Sequence, residues 1–212
     1  MYEVIVLGAT FAAAGIASRL KENCLVIERR GDGGYEFFGG QFFADTENLS
    51  VYPFLKECHT VFCADVCSVQ KTEKGFICET HGVDGFVSYE AKRVIDTRTT
   101  AAISLSKTYP LLIESREKPS FIEADVRAVK GENRYVVELA LPLDCGFSEA
   151  RRRALELVKG FSDNERLILL ADEFNYTVKK DFPKEEKGVL LLPSAAFQSP
   201  RLAFRAGEEA AK

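Results

Sequence analysis

The opening of the chain constrains its fold most. Tyr2-Glu3-Val4-Ile5-Val6-Leu7 is an apolar run that ends at Gly8, and a small-residue stretch follows, Ala9-Thr10-Phe11-Ala12-Ala13-Ala14-Gly15-Ile16-Ala17. Leu25-Val26-Ile27 then leads to the acid Glu28. The pattern reads as a buried strand, a tight turn, a helix and a second buried strand. In a βαβ unit of this kind the helix N-terminus faces an anion, and the acid meets a ribose hydroxyl. Glu28 stands 20 residues after Gly8, the spacing of a dinucleotide-binding fingerprint.

The G-x-G-x-x-G register falls on Gly8, Thr10 and Ala13, so only the first glycine is kept. Gly8 permits the sharp turn into the helix. Thr10 brings a β-branched side chain to the place where backbone approaches a diphosphate; its hydroxyl can donate there, and its methyl can crowd the ligand. Ala13 is a mild change at the helix–strand contact. Gly8, Ala9, Thr10, Phe11, Ala12 and Ala13 are candidate cofactor contacts, together with Glu28, Arg29 and Arg30. Glu28 favours the free ribose 2′-hydroxyl that FAD and NAD share, and the two arginines weaken that preference. An α/β protein whose first βαβ unit binds nothing is the alternative.

At 212 residues the chain suits one large domain, or one domain with a small insert. A net charge of −4 and the lack of a basic stripe argue against nucleic acid as a partner. No apolar run is long enough to span a bilayer. A first strand that begins at Tyr2 leaves no room for a leader, so the expected compartment is the cytoplasm. The six cysteines form no C-x-x-C pair and no zinc-knuckle spacing, and no metal site is expected. They read as buried reduced thiols, with Cys63 and Cys67 packing from a strand over Val61 to Val69.

After Glu28 the segment through Gln41 is rich in glycine and aromatics and reads as a loop with tight turns. A short helix is expected over residues 50 to 57. Strands follow at Val61 to Val69, Gly75 to Thr80 and Gly85 to Tyr89, and then a buried one through Val94-Ile95-Asp96-Thr97-Arg98-Thr99. Near the C-terminus the apolar run Gly188 to Leu192 leads to Pro193-Ser194-Ala195-Ala196. Ser199-Pro200 then opens a helix, with Ser as N-cap and Pro at its first position.

A βαβ unit, a three-stranded antiparallel meander and a short strand closing on polar residues resembles the FAD-dependent oxidoreductase superfamily, with its glutathione-reductase-type fold. The resemblance covers residues 1 to about 104 and about 186 to 212 in layout. It implies a Rossmann-like three-layer α/β FAD/NAD(P)-binding domain with an antiparallel β-meander, split by a small α+β insert at residues 105–185. It implies FAD as the cofactor, hydride or electron transfer as the activity, and a substrate or cap role for the insert. Implied contacts are Gly39 and Gly40 in the glycine-rich loop, Val66 near the adenine, Asp96, Thr97 and Arg98 at the strand end, and Ser194, Ala195 and Ala196 at the return strand. The family's V-I-x-A-T-G ending is replaced by Val94 to Thr99, and its Gly-Asp by Pro193-Ser194-Ala195-Ala196.

Within the insert, strands are expected at Phe121 to Val129 and Tyr135 to Leu141. A helix over Phe147 to Phe161 is expected to be capped by Ser148, with Ala154, Leu155, Leu157 and Val158 inward and Arg151 to Arg153 on a solvated face. Further strands are expected at Arg166 to Leu170 and Phe174 to Lys179. No catalytic residue is indicated: His59 and His81 are the only histidines, and nucleophile-elbow, phosphate-loop and metal-helix motifs are missing. Arg98 is the candidate counter-charge for a phosphate or a reduced flavin. The aromatics Tyr35, Phe37, Phe38, Phe42 and Phe43 are candidates to cover it. Three readings stand: an FAD-binding oxidoreductase with an unknown small-molecule substrate or redox partner, a non-catalytic relative acting as a binding or assembly subunit, and an NAD-binding reductase domain. A homodimer or a heteromeric partner is compatible with each.

Overall fold

The structure, a computed structural model, describes residues 1–34, 50–99, 104–128, 133–170, 174–178, 181–197 and 199–212. They form two compact units: one takes the described residues of 1–99 and 181–212, the other Ser104–Val178.

In the first unit β1 (Tyr2–Leu7) leads into α1 (Phe11–Leu20), and β2 (Cys24–Ile27) returns alongside. After α2 (Tyr52–Leu55) come β3 (His59–Val61), β4 (Ala64–Thr72), β5 (Gly75–Gly82) and β6 (Gly85–Asp96). All four residues of β2, and Val4 to Leu7 of β1, are buried, as a parallel strand covered on both faces requires. β1 runs parallel to β2 on one side and to β6 on the other, and β2 runs parallel to β3. The chain therefore reverses its direction of sheet growth at β1, the kind of switch point where α/β sheets bind ligands.

The meander is built differently from the sequence expectation. The third meander strand and the buried strand after it are one continuous element, β6. Its first half pairs antiparallel with β5 and its second half parallel with β1, and the two pairings meet at Ala91, opposite both Phe76 and Tyr2. No glycine or proline lies between Gly85 and Asp96 to interrupt it. The expected strand over Val61 to Val69 is in fact broken: β3 ends at Val61, Cys63 adopts φ +58°, and β4 starts at Ala64. Cys63 and Cys67 are exposed, against the expectation that they pack. Cys63 lies in the break, and Cys67 lies where the β4–β5 register shifts between Val66 and Ser68.

Ile5, Leu7, Leu25 and Ile27 pack against Ala64, Phe76, Cys78 and Val94 beneath the meander. Alternation turns Val4, Val6 and Val26 to the opposite face. In the second unit β7 (Ser104–Ser115) is central. It pairs with β9 (Arg134–Leu141) on one edge, which carries β8 (Ala124–Ala128). On its other edge it pairs with β10 (Glu165–Leu170) and β11 (Asn175–Val178) in turn. The sequence reading had no strand at β7, whose run holds Lys107 and Pro110 and shows no clean alternation. α3 (Phe147–Lys159) covers this sheet through Ala150 and Ala154, with Leu157 and Val158 alongside. Gly146, without a side-chain bond, is its N-cap, so Ser148 lies inside the first turn. Leu155, expected inward, is 44% exposed.

The chain then returns to the first unit. β12 (Lys184–Glu186) pairs antiparallel with β13 (Val189–Leu191), and β13 runs parallel to β6. α4 (Pro200–Ala210) follows, with Pro200 in its first turn and its Ser199 cap accepting from the Leu202 N–H at 3.3 Å. α4 packs on α1 through two glycines. A Cβ on Gly15 would strike the Phe204 carbonyl, and one on Gly207 the Ala12 carbonyl. Among the described residues no helix is long and apolar enough to cross a membrane.

Candidate functional site

The site is assembled at the C-terminal ends of β1, β2, β6 and β13. Gly8 turns the chain from β1 towards α1 at φ +95°, a conformation in which an L side chain is strained. A Cβ there would also meet Arg98 Cγ at 2.8 Å and Thr97 Oγ1 at 3.2 Å. The Gly8 N–H donates to the Ile27 carbonyl at 2.8 Å, which ties the turn to the end of β2.

Thr10 is the N-cap of α1. Its Oγ1 accepts from the Ala13 N–H at 3.1 Å and donates to Thr97 Oγ1 at 2.8 Å. Thr97 in turn donates to the Leu7 carbonyl at 2.9 Å, with Gly8 O at 3.1 Å. Each hydroxyl has one proton, so these bonds form a chain with a single direction and the Thr10 proton is engaged. The Ala12 N–H donates to Ser194 Oγ at 3.3 Å, and Ser194 is fully buried. Hydroxyls of the chain itself therefore satisfy two donors of the first helical turn.

Glu28 is buried at the end of β2. Its Oε2 accepts from the Ala9 N–H at 2.8 Å, and its Oε1 from the Arg30 N–H at 3.0 Å. Asp96 grips Arg98 at three points: backbone N to Oδ1 at 3.0 Å, Nε to Oδ1 at 2.9 Å, and one terminal nitrogen to Oδ2 at 2.6 Å. That grip holds the guanidinium further towards its charged form, against the cost of burial. The Arg98 stem thus lies against Gly8, with its guanidinium held on Asp96.

Gly8, Ala9, Thr10, Ala12, Ala13, Glu28, Asp96, Thr97, Arg98 and Ser194 are brought together by these contacts. Phe11 is buried in the first turn of α1, and Ala195 and Ala196 complete a 3₁₀ turn with Ser194. Arg29 is exposed, while Arg30 joins through its backbone. Val66 is placed elsewhere: it pairs with Thr80 and packs on the core beneath the meander. Gly39, Gly40 and the aromatics Tyr35, Phe37, Phe38, Phe42 and Phe43 lie outside the described residues. His59 hydrogen-bonds the Tyr2 hydroxyl at 2.7 Å, and the His81 ring lies tilted against Phe86. Sequence reasoning left out Gly33 and Gly34, although their glycine doublet was visible. The Gly34 N–H donates to Ala9 O at 2.7 Å, and a Cβ on Gly33 would come 2.6 Å from that oxygen.

In the second unit, sequence reasoning passed over Lys107. It is buried, donates to the carbonyls of Leu143 and Cys145, and sets its ammonium 3.7 Å from the Phe174 ring centroid. Thr108 donates to the buried Glu138 at 3.2 Å.

An adenine dinucleotide needs an acceptor for its ribose diol, positive charge for its diphosphate, and close backbone approach at the turn. Glu28 fits the first, because a carboxylate has about four lone-pair sites and, among the described residues, two N–H groups use them. Arg98 and the dipole of α1 supply the charge, and Gly8 the approach. The first-turn amides are engaged, and the bond from Ala12 is the longer of the two at 3.3 Å.

No family model matches the sequence, and no curated protein sequence matches it. Solved structures do match its fold. One is p-nitrophenol 4-monooxygenase from Pseudomonas putida, with a TM-score of 0.63 and 14% identity over 100% of this chain and 80% of that one. A geranylgeranyl bacteriochlorophyll reductase-like protein from Thermoplasma acidophilum gives 0.65 and 13% over 99% of this chain and 77% of that one. Aklavinone-11 hydroxylase, in a ternary complex with FAD and aklavinone, gives 0.61 and 12% over 99% of this chain and 61% of that one. At such identities the likeness shows the fold alone, and the chain has the Rossmann-like α/β fold of these solved structures.

Proposed function

We propose that the chain is an FAD-binding protein of the oxidoreductase type. The observation that carries this reading is the convergence of Gly8, Glu28 and Arg98 at the switch point of the first unit's sheet. Glu28 holds the ribose diol. Arg98, held protonated by Asp96, balances the diphosphate, and the Ala12 N–H turns to it from Ser194. FAD, when bound, supplies hydride and electron transfer, and the protein supplies orientation and charge. The insert at residues 105–185 serves as the substrate or cap domain of a glutathione-reductase-type arrangement, and the substrate is a small molecule.

The visible spectrum of the purified protein, before and after incubation with excess FAD and desalting, tests this. Retained flavin absorbance that Glu28→Ala removes supports the reading; a protein that never retains flavin overturns it. A second reading rests on Thr10 and Ser194, whose hydroxyls already engage the Ala13 and Ala12 amides. It is a relative that keeps the fold as a binding or assembly subunit, and a colourless protein that co-purifies with a partner favours it. Saturable binding of NAD without FAD retention points instead to a nicotinamide-dependent reductase domain.

A further inference from the structure

β2 and β3 lie side by side and parallel, with Leu25 opposite His59. One residue earlier the same register sets Cys24 opposite Cys58, with both side chains on one face of the sheet. Cys24 is fully buried and Cys58 is 9% exposed; both are free thiols. The two thiols lie close enough that each shifts the other's titration, Cys24 upward and Cys58 downward. Cys58 Sγ also donates to the Leu55 carbonyl at 3.3 Å and lies 3.5 Å from Thr60 Oγ1. A strand spacing of about 4.8 Å places the Cα atoms within the range a disulfide spans. Cys24 opens β2 and Cys58 immediately precedes β3, so the pair lies at the opposite end of these strands from Glu28 and takes no part in the flavin reading.

We propose that Cys24 and Cys58 form a redox-active dithiol that hydrogen peroxide closes to a disulfide. The neighbouring Cys24 thiol and the Thr60 hydroxyl pull the Cys58 thiol down to about 7, below the ordinary cysteine value. Cys58 is therefore the sulfur of the pair that ionises first, giving up its S–H bond to the Leu55 carbonyl. Cys24 is pushed up by the neighbouring Cys58 and by burial, and keeps its proton. Burial is the main cause that pushes the Cys78 thiol up, to about 11, away from the thiolate.

In the first step the Cys58 thiolate attacks one peroxide oxygen and the O–O bond breaks. Cys58 becomes a sulfenic acid, and the departing hydroxide takes a proton to form water. Cys24 sulfur then attacks the Cys58 sulfur and gives up its proton as the S–O bond breaks, releasing a second water. Two thiols have lost two electrons and two hydrogens, and one peroxide has become two waters. The new bond closes a loop over residues 25–57.

The test uses the full chain carrying Cys63→Ser and Cys67→Ser, which removes the two exposed thiols. Reduced protein is treated with hydrogen peroxide, denatured, alkylated and mapped by peptide mass. The expected result is a peptide pair linked through Cys24 and Cys58, with Cys78 and Cys145 still alkylated and all four thiols regained with dithiothreitol. The native-state alkylation rate of Cys58 should rise through an apparent pKa of about 7. With Cys24→Ser added, Cys58 stops at the sulfenic acid and is captured by dimedone. Full alkylation of both Cys24 and Cys58, at a peroxide concentration that oxidises Cys63 or Cys67 in the unsubstituted chain, overturns the proposal. A link from Cys58 to any other cysteine of the unsubstituted chain overturns it too. The mapping decides the matter even where Cys24→Ser does not fold.

Discussion

Thr10 shows how a side chain in the place of a fingerprint glycine takes up a different role. In the fingerprint the second glycine lets backbone approach a diphosphate; here the Thr10 hydroxyl caps α1 and donates a hydrogen bond to Thr97. Thr10→Gly restores the fingerprint. It should cost about 1 kcal/mol of stability, from the lost link to Thr97 and a weaker cap. FAD affinity should rise at the same time, read by flavin fluorescence titration beside thermal melts. Glu28→Gln runs the other way. A Gln side chain has one acceptor oxygen, so one of the Ala9 and Arg30 N–H groups loses its partner, at about 1–3 kcal/mol. Flavin binding should weaken in the same variant, and unchanged affinity would remove Glu28 from the site. The sequence made Glu28 and Gly8 legible through their spacing. It did not reveal that Ser194, which lies 182 positions from Ala12, would reach that amide.

At the scale of elements, α1 and α4 meet closely enough that each places a glycine against the other's backbone. Gly207→Ala tests this contact by its sign. In a solvated helix the exchange gains about 1 kcal/mol from propensity. Here the added methyl meets the Ala12 carbonyl, and overpacking should cost about 1–3 kcal/mol, seen as a lower melting temperature. A rise in melting temperature would show that the helices do not cross this closely. The same scale explains where strand reading went astray. β6 joins two pairings of opposite sense, and local pattern cannot show where one partner replaces another. β7 has its alternation blurred by Lys107 and Pro110, and burial of the Lys107 ammonium depends on carbonyls of Leu143 and Cys145 and on the ring of Phe174.

In the whole molecule two separate cores, one under the meander and one between α3 and its sheet, belong to different units. A ligand that binds only the folded state of one unit stabilises that unit by mass action, about 2.7 kcal/mol at a hundredfold excess over Kd. Saturating FAD should therefore slow amide hydrogen exchange in β1, β2 and α1, with a smaller change in β9 and α3, as measured by mass spectrometry. Equal slowing in both units, or none in β1 and α1, would count against a site at the β1–α1 turn. By itself the sequence determined the βαβ start, the succession of meander strands without their bounds, and the Ser199-Pro200 helix opening, because periodicity, turn chemistry and capping act over a few residues. Only the tertiary structure decided that Thr10, Thr97 and Ser194 engage the helix start, that Cys24 faces Cys58, and that Cys63 and Cys67 reach solvent. Those outcomes depend on which distant segments share a sheet edge or a strand break, and a linear pattern carries no term for that pairing.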